Sequence, residues 1–159
     1  MVWGKSQDGT SALYYVKAGG ELWRHTPGGG EDTLLYSEEG GADSEFELLL
    51  SQTTDERWLL AGLHSSDTSE VHILRLDEPE TEAGQALQLV AARKSGVKYD
   101  VDIRHESHLT DYNRKIYQST LYIRTNWAPP LPQFRNLPDT FRIMRIGMTD
   151  LSRGMNKCE

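Results

Sequence analysis

Apolar residues fall along this chain in short runs separated by clusters of glycine, serine and threonine, and one arrangement of runs occurs three times. An apolar strand is followed by a polar turn and then by a strand that opens on an acidic or aromatic residue. The unit reads Ala12-Leu-Tyr-Tyr-Val16 to Glu21-Leu-Trp-Arg-His25, then Trp58-Leu-Leu-Ala61 to Glu70-Val-His-Ile-Leu74, then Thr120-Leu-Tyr-Ile-Arg124 to Phe141-Arg-Ile-Met-Arg-Ile146. Strand pairs returning every roughly 40 to 60 residues suggest propeller blades or a related β array, in which each small sheet buries a face against the next.

The finer pattern fills in meanders. Leu13 to Val16, Glu21 to Thr26 and Leu34 to Tyr36 are divided by Gly19-Gly20 and by Gly28-Gly29-Gly30, which predicts a first antiparallel meander. Phe46 to Leu50 and Trp58 to Leu63 flank the polar turn Gln52-Thr-Thr-Asp-Glu-Arg57, and Glu70 to Leu76 follows Ser65-Ser-Asp-Thr-Ser69, which predicts a second. Val97 to Ile103 alternates apolar with polar, the period of a half-buried strand. Asp77 to Lys94 is ambiguous, because Pro79 can start a helix and Ala83, Ala86, Leu87, Leu89 and Val90 have tolerable helical spacing. The repeat requires an outer strand there, so Leu87 to Ala91 is expected to be strand, with no helix beyond about two turns.

The expected fold is all-β: a partial β-propeller of about two and a half to three four-stranded antiparallel blades spanning 1–159. Blade strands are placed at about 12–36, 46–76, 87–103 and 120–146, with insertion loops at 104–118 and 127–139. The second loop holds Pro129, Pro130, Pro132 and Pro138. Loops of this length in a compact β domain commonly carry function, so Trp127 and Phe134 are the candidate partner-binding residues. Trp3, Trp23 and Trp58 are expected between sheets. An open array of this kind leaves two apolar blade faces, to be covered by a protein partner, further blades or a second copy.

Composition narrows the function classes. Acidic residues outnumber basic ones 24 to 17, a net charge of −7, which disfavours nucleic acid or an anionic membrane as a partner. No apolar run approaches the length of a membrane span, so no membrane insertion is expected. The lone Cys158 cannot form an intramolecular disulfide, and no N-x-[ST] sequon occurs; both favour an intracellular home, cytoplasmic first, with an organelle such as the mitochondrion as the alternative.

Candidate chemistry is sparse. His105-Glu-Ser-His108 spaces its histidines three apart in a polar stretch rather than four apart on a helix, so no metal site is assigned. Asp100 and Asp102 share one face of a strand and read as a solvated face. His25, His64 and His72 read as ordinary strand histidines. Gly28-Gly29-Gly30 opens no helix and precedes no Lys-Ser or Lys-Thr, so it is a turn and holds no phosphate. No G-x-S-x-G elbow is present, and neither catalytic residues nor a cofactor are expected.

Several short motifs in order resemble a known family. Glu21-Leu-Trp-Arg-His25, Glu31-Asp-Thr-Leu-Leu-Tyr36, Asp55-Glu-Arg-Trp58, Thr68-Ser-Glu-Val71, Gly96-Val-Lys-Tyr-Asp-Val-Asp102 and Leu121-Tyr-Ile-Arg-Thr-Asn126 look like part of the amino-terminal β-propeller of oligopeptidase B, in the prolyl oligopeptidase family of serine peptidases. The resemblance runs from about Val2 to Gly154. It implies a seven-bladed lid that admits short peptides, cleaved after basic residues by a separate α/β-hydrolase domain that this chain lacks. Two roles follow: a non-catalytic, substrate-gating propeller segment, or a degenerate propeller serving as a structural subunit of a larger assembly.

Overall fold

The computed structural model describes residues 1–5, 11–76, 87–109, 115–127 and 141–147. Eleven strands are described: β1 (Val2–Lys5), β2 (Ser11–Lys17), β3 (Glu21–His25), β4 (Thr33–Ser37), β5 (Glu47–Gln52), β6 (Trp58–His64), β7 (Ser69–Arg75), β8 (Gln88–Ala91), β9 (Tyr99–Leu109), β10 (Lys115–Thr125) and β11 (Phe141–Gly147). They form three sheets, ordered β1-β2-β3-β4, β5-β6-β7-β8 and β11-β10-β9. The first two are antiparallel meanders. This is an all-β, partial propeller architecture.

The second sheet explains the stacking. Along β6 the sequence Trp-Leu-Leu-Ala-Gly-Leu-His shows no polar–apolar alternation, which a strand needs only when one face meets water. Here neither face does. Leu59, Ala61, Leu63 and Leu74 point one way, into a core shared with Val2, Ala12, Tyr14 and Leu22 of the first sheet. Trp58, Leu60, Val71 and Ile73 point the other way, into a core shared with Tyr99, Ile103, Leu121 and Ile123 of the third. β5 packs on β1 and β2, whereas β9 packs on β6 and β7.

Turn chemistry matches the connections. Gly19 and Gly20 both have positive φ between β2 and β3. Gly28 is left-handed, and Gly29 N–H bonds Thr26 O at 2.9 Å in the turn between β3 and β4. In the Asp55-Glu-Arg-Trp58 turn, the Thr53 hydroxyl donates to Asp55 at 2.6 Å and accepts the Trp58 N–H at 3.1 Å.

Five expectations are corrected. The loop expected over 104–118 is largely strand: β9 continues to Leu109 and β10 starts at Lys115, in register from Lys115↔Leu109 through Ser119↔His105 to Leu121↔Ile103. Ladder bonds use backbone groups that polar and apolar residues carry alike, so weak apolar periodicity did not prevent pairing. The block 87–103 divides between two sheets. β8 closes the second and β9 opens the third, across a turn at Lys94–Val97 in which Gly96 is left-handed.

The third sheet is not wholly antiparallel. It has three described strands, and β11 runs parallel to β10, Ser119↔Phe141 through Thr125↔Gly147. Residues 126–140 exceed the dozen or so that a parallel crossover needs, whereas a short turn would have forced the antiparallel pairing. The outer strand expected near Leu87 to Ala91 is present as β8, while 77–86 and most of the loop at 127–139 lie outside the described residues.

Two apolar end faces were expected, and among the described side chains one is found, on the first sheet. On the outer face of the first sheet lie Trp3, Leu13, Tyr15, Trp23 and Leu34, with Trp3 55% and Leu34 45% exposed. Trp3 and Trp23 are therefore not between sheets: Val2, Gly4 and Leu22 point into the core, and period two turns Trp3 and Trp23 outward. The outer face of the third sheet carries Asp100, Asp102, Arg104, Tyr122 and Arg124 among its described side chains.

Candidate functional site

Trp127 and Phe134, the candidate partner contacts, are not brought together by the described structure. Trp127 is half-buried at the end of β10, its N–H bonded to the Thr125 hydroxyl at 3.1 Å and the Lys94 ammonium 4.5 Å from its ring centre. Asn126 fixes that corner, accepting the Lys98 N–H at 2.9 Å and donating to Gly96 O at 3.1 Å. Phe134 lies outside the described residues.

The remaining candidates resolve into pairs. Asp100 takes a charged hydrogen bond from Arg124 at 2.5 Å, and Asp102 sits 3.7 Å from Arg104. His25 bonds Asp32 through Nδ1 at 2.7 Å, and the Tyr15 hydroxyl donates to the other oxygen of the same carboxylate. Those two hydrogen bonds hold the Asp32 carboxyl below its ordinary range. His105 bonds Ser119 at 3.2 Å, while the side chain of His108 lies outside the described ones.

Two features emerge that sequence reasoning did not find. The first is a cleft of about 470 Å³ between the second and third sheets. Because β9 lies over β6 and β7, it leaves the Leu49 side of β5 uncovered, and Leu49 is 51% exposed. Leu60 and Val71 line the cleft with Ser51, Asp100 and Val101. Gly62 leaves room on the cleft floor for the His64 imidazole, which lies so close that a Cβ at position 62 would sit 2.6 Å from its Nε2. No pattern in β5 marks this, since Leu48 to Leu50 reads as continuous core.

The second is a buried ionic cluster between the first and second sheets. Glu38, just past β4, is 5% exposed, and Arg93, just past β8, grips it with two bonds of 2.8 and 2.6 Å. The Tyr36 hydroxyl and Ser44 hydroxyl also donate to that carboxylate, at 2.6 and 3.2 Å. Arg93 Nε lies 3.3 Å from Glu70 Oε2, while His72 Nε2 bonds Glu70 Oε1 at 2.8 Å. The guanidinium stacks 4.0 Å from the Phe46 ring centre, and the Tyr36 and His72 rings meet at 5.0 Å.

Charge and burial set the protonation states. The Arg93 hydrogen bond holds the Glu38 carboxyl below its usual range, and the bonds from Tyr36 and Ser44 add to this against the opposing effect of burial. Burial pushes the Glu70 carboxyl up, but His72 and Arg93 more than offset it, leaving Glu70 below the ordinary value. Burial and the adjacent Glu38 carboxylate raise the Tyr36 hydroxyl well above its ordinary range. The cluster is thus two carboxylates and a guanidinium, each ionised at neutral pH.

This chemistry binds sheets together. Among the described residues no group of three or more His, Cys, Asp or Glu is placed to hold a metal, and no described helix is long and apolar enough to cross a membrane.

Comparison with known proteins agrees with the stacked-sheet reading. No family model matches the chain. Protease 2 of Moraxella lacunata is 33% identical over 141 residues, a match covering 87% of this chain and 16% of that protein. Oligopeptidase B of Leishmania major superposes with a TM-score of 0.53 at 26% identity, over 78% of this chain and 17% of that one. Oligopeptidase B of Trypanosoma brucei, with covalently bound antipain in a closed form, gives 0.51 at 25% identity, over 76% and 18%. The chain spans less than a fifth of the length of these relatives. With its three stacked sheets, it is a partial oligopeptidase B-like domain of all-β, propeller-like fold.

Proposed function

We propose that this chain is the non-catalytic propeller segment of an oligopeptidase B-like serine peptidase, and that its role is to gate access of short peptides with basic residues to a hydrolase domain outside this chain. The observation that carries this reading is the second sheet, buried on both faces between two others, in a chain that matches oligopeptidase B over most of its own length. A net charge of −7 suits cationic peptides. The cleft beside Leu49 supplies a water-accessible lining for such a gate. The compartment that fits is intracellular, the cytoplasm before an organelle.

Activity measured on the full-length protein containing this segment tests the reading. Leu49→Ala is expected to relax the exclusion of longer peptides while kcat/KM for a dipeptide reporter with a basic residue stays within twofold. An unchanged length cut-off overturns gating. The isolated chain is expected to hydrolyse no such reporter, and activity that survives repurification in proportion to protein overturns the non-catalytic assignment.

A second reading, a structural subunit of a larger assembly, is favoured by the aromatic outer face of the first sheet, where Trp3 and Leu34 are exposed. There a protein partner, further blades or a second copy covers the face, with Trp127 and Phe134 as additional contacts. Trp127→Ala then weakens association by about 1 to 3 kcal/mol. A monodisperse monomer at high concentration, without dye-binding surface, overturns it.

A further inference from the structure

We propose that Arg93 is an acid-releasable latch between the first two sheets: it holds their outer ends together while the carboxylates of Glu38 and Glu70 are charged, and lets them part when those charges are removed. The sheets are fastened differently at their two ends. Near β1, β2 and β5 the join is an apolar core, with Val2, Ala12, Leu48 and Leu63 packed together beside the Tyr14 ring, and none of these carries a carboxyl or an imidazole. Toward β4 and β8 the join passes through the guanidinium, which takes one carboxylate from each sheet's side of the gap.

Besides this cluster, the Arg93 charge reaches the Tyr99 hydroxyl of β9, which donates to Ala91 O and stays neutral. Tyr36 comes from β4 and Glu38 from the turn after it; Glu70 and His72 come from β7. Ser44 and Phe46 close the remaining side without charge. Both carboxyls lie below their unfolded values in the folded chain. Their contribution is therefore complete above the ordinary glutamate range and is lost as pH falls through the folded values. An apolar join does not respond to that change, so acidification loosens one end and spares the other.

Pulsed electron paramagnetic resonance on spin-labelled chain, with Cys158→Ser in all samples, reads each end separately. Ser37→Cys with Ala92→Cys reports the latched end, and Ser11→Cys with Glu47→Cys the apolar end; all four positions are exposed. The latched pair is expected to give a narrow distance distribution at about pH 7.5 that lengthens and broadens as pH is titrated down past the ordinary glutamate range and through the folded values of the two carboxyls, while the other pair does not change. Glu38→Gln with Glu70→Gln, which keeps the shape and removes the charge, is expected to give the acid distribution already at neutral pH. Arg93→Met is expected to do the same. The latch is overturned if the double glutamine variant keeps the narrow neutral distribution. It is equally overturned if the wild-type latched pair does not respond to acid, or if both pairs broaden together, since the opening is then global.

Discussion

Ser69 and Tyr99 exchange hydrogen bonds across the join between the second and third sheets: the Ser69 hydroxyl donates to the Tyr99 carbonyl at 2.8 Å and accepts the Tyr99 N–H at 2.6 Å. Ser69 is fully buried. The Tyr99 ring then reaches back into the second sheet, where its hydroxyl donates to Ala91 O at 2.5 Å and accepts the Val71 N–H at 2.9 Å. That is where the β7–β8 register slips, between Val71 and His72. A side chain of the third sheet thus supplies hydrogen bonds at an irregular point in the ladder of the second. Burial raises the Tyr99 hydroxyl above its ordinary range, keeping it a neutral donor.

Tyr99→Phe should therefore cost about 1 to 3 kcal/mol, because it leaves a buried N–H and a buried carbonyl at the slip without their partner. Ser69→Ala should cost a similar amount by unpairing the backbone of Tyr99. Urea denaturation midpoints at constant m-value check both, and a loss below about 0.5 kcal/mol in Tyr99→Phe would mean that water takes over the hydroxyl's role.

Glu38→Ala should destabilise the chain by about 2 kcal/mol at neutral pH, less than for a wholly buried pair because the Arg93 side chain is 28% exposed. Since the Glu38 carboxyl titrates below its ordinary value, the penalty should shrink as pH drops through the acid range and protonation removes the same charge from the wild type. Thermal melts of both proteins across that range should converge. A pH-independent difference would assign the loss to packing alone.

Gly20→Ala should be among the costliest alanine substitutions outside the core. Gly20 has a φ of 71°, and an added Cβ would stand 2.8 Å from Glu38 Cβ, whose own N–H bonds Gly20 O at 3.2 Å. Left-handed strain and the displaced Glu38 together predict a loss of about 1 to 3 kcal/mol by chemical denaturation. By contrast, Gly28→Ala meets no atom within 4 Å and should show the strain without the clash.

Leu59→Ala and Ile73→Ala probe the two faces of the second sheet, and each should cost about 2 to 5 kcal/mol, since both side chains are fully buried in different cores. If the sheet were covered on one side only, one of the two would be near neutral. Trp3→Ser, on the outer aromatic face, should alter stability by less than about 0.5 kcal/mol and reduce dye binding.

Local pattern determined a good deal here. Short apolar runs bounded by polar or glycine-rich turns located β2, β3, β6 and β7, period-two alternation located the start of β9, and the need for a fourth strand located β8, because side-chain parity and turn chemistry are properties of neighbouring residues. The same parity, applied to Val2-Trp-Gly4, puts Trp3 outside, although its size had suggested the core. What the tertiary structure decided was everything that depends on residues distant in sequence. Whether 104–118 pairs, whether β11 runs parallel, and which end face is charged are set by which backbone lies alongside, and a ladder accepts polar residues as readily as apolar ones. The cluster of Glu38, Glu70 and Arg93 is illegible in the chain for a further reason. A charged residue at the end of a strand looks like solvated surface, and only the approach of another sheet, 55 residues away in the case of Glu38 and Arg93, turns it into a buried pair.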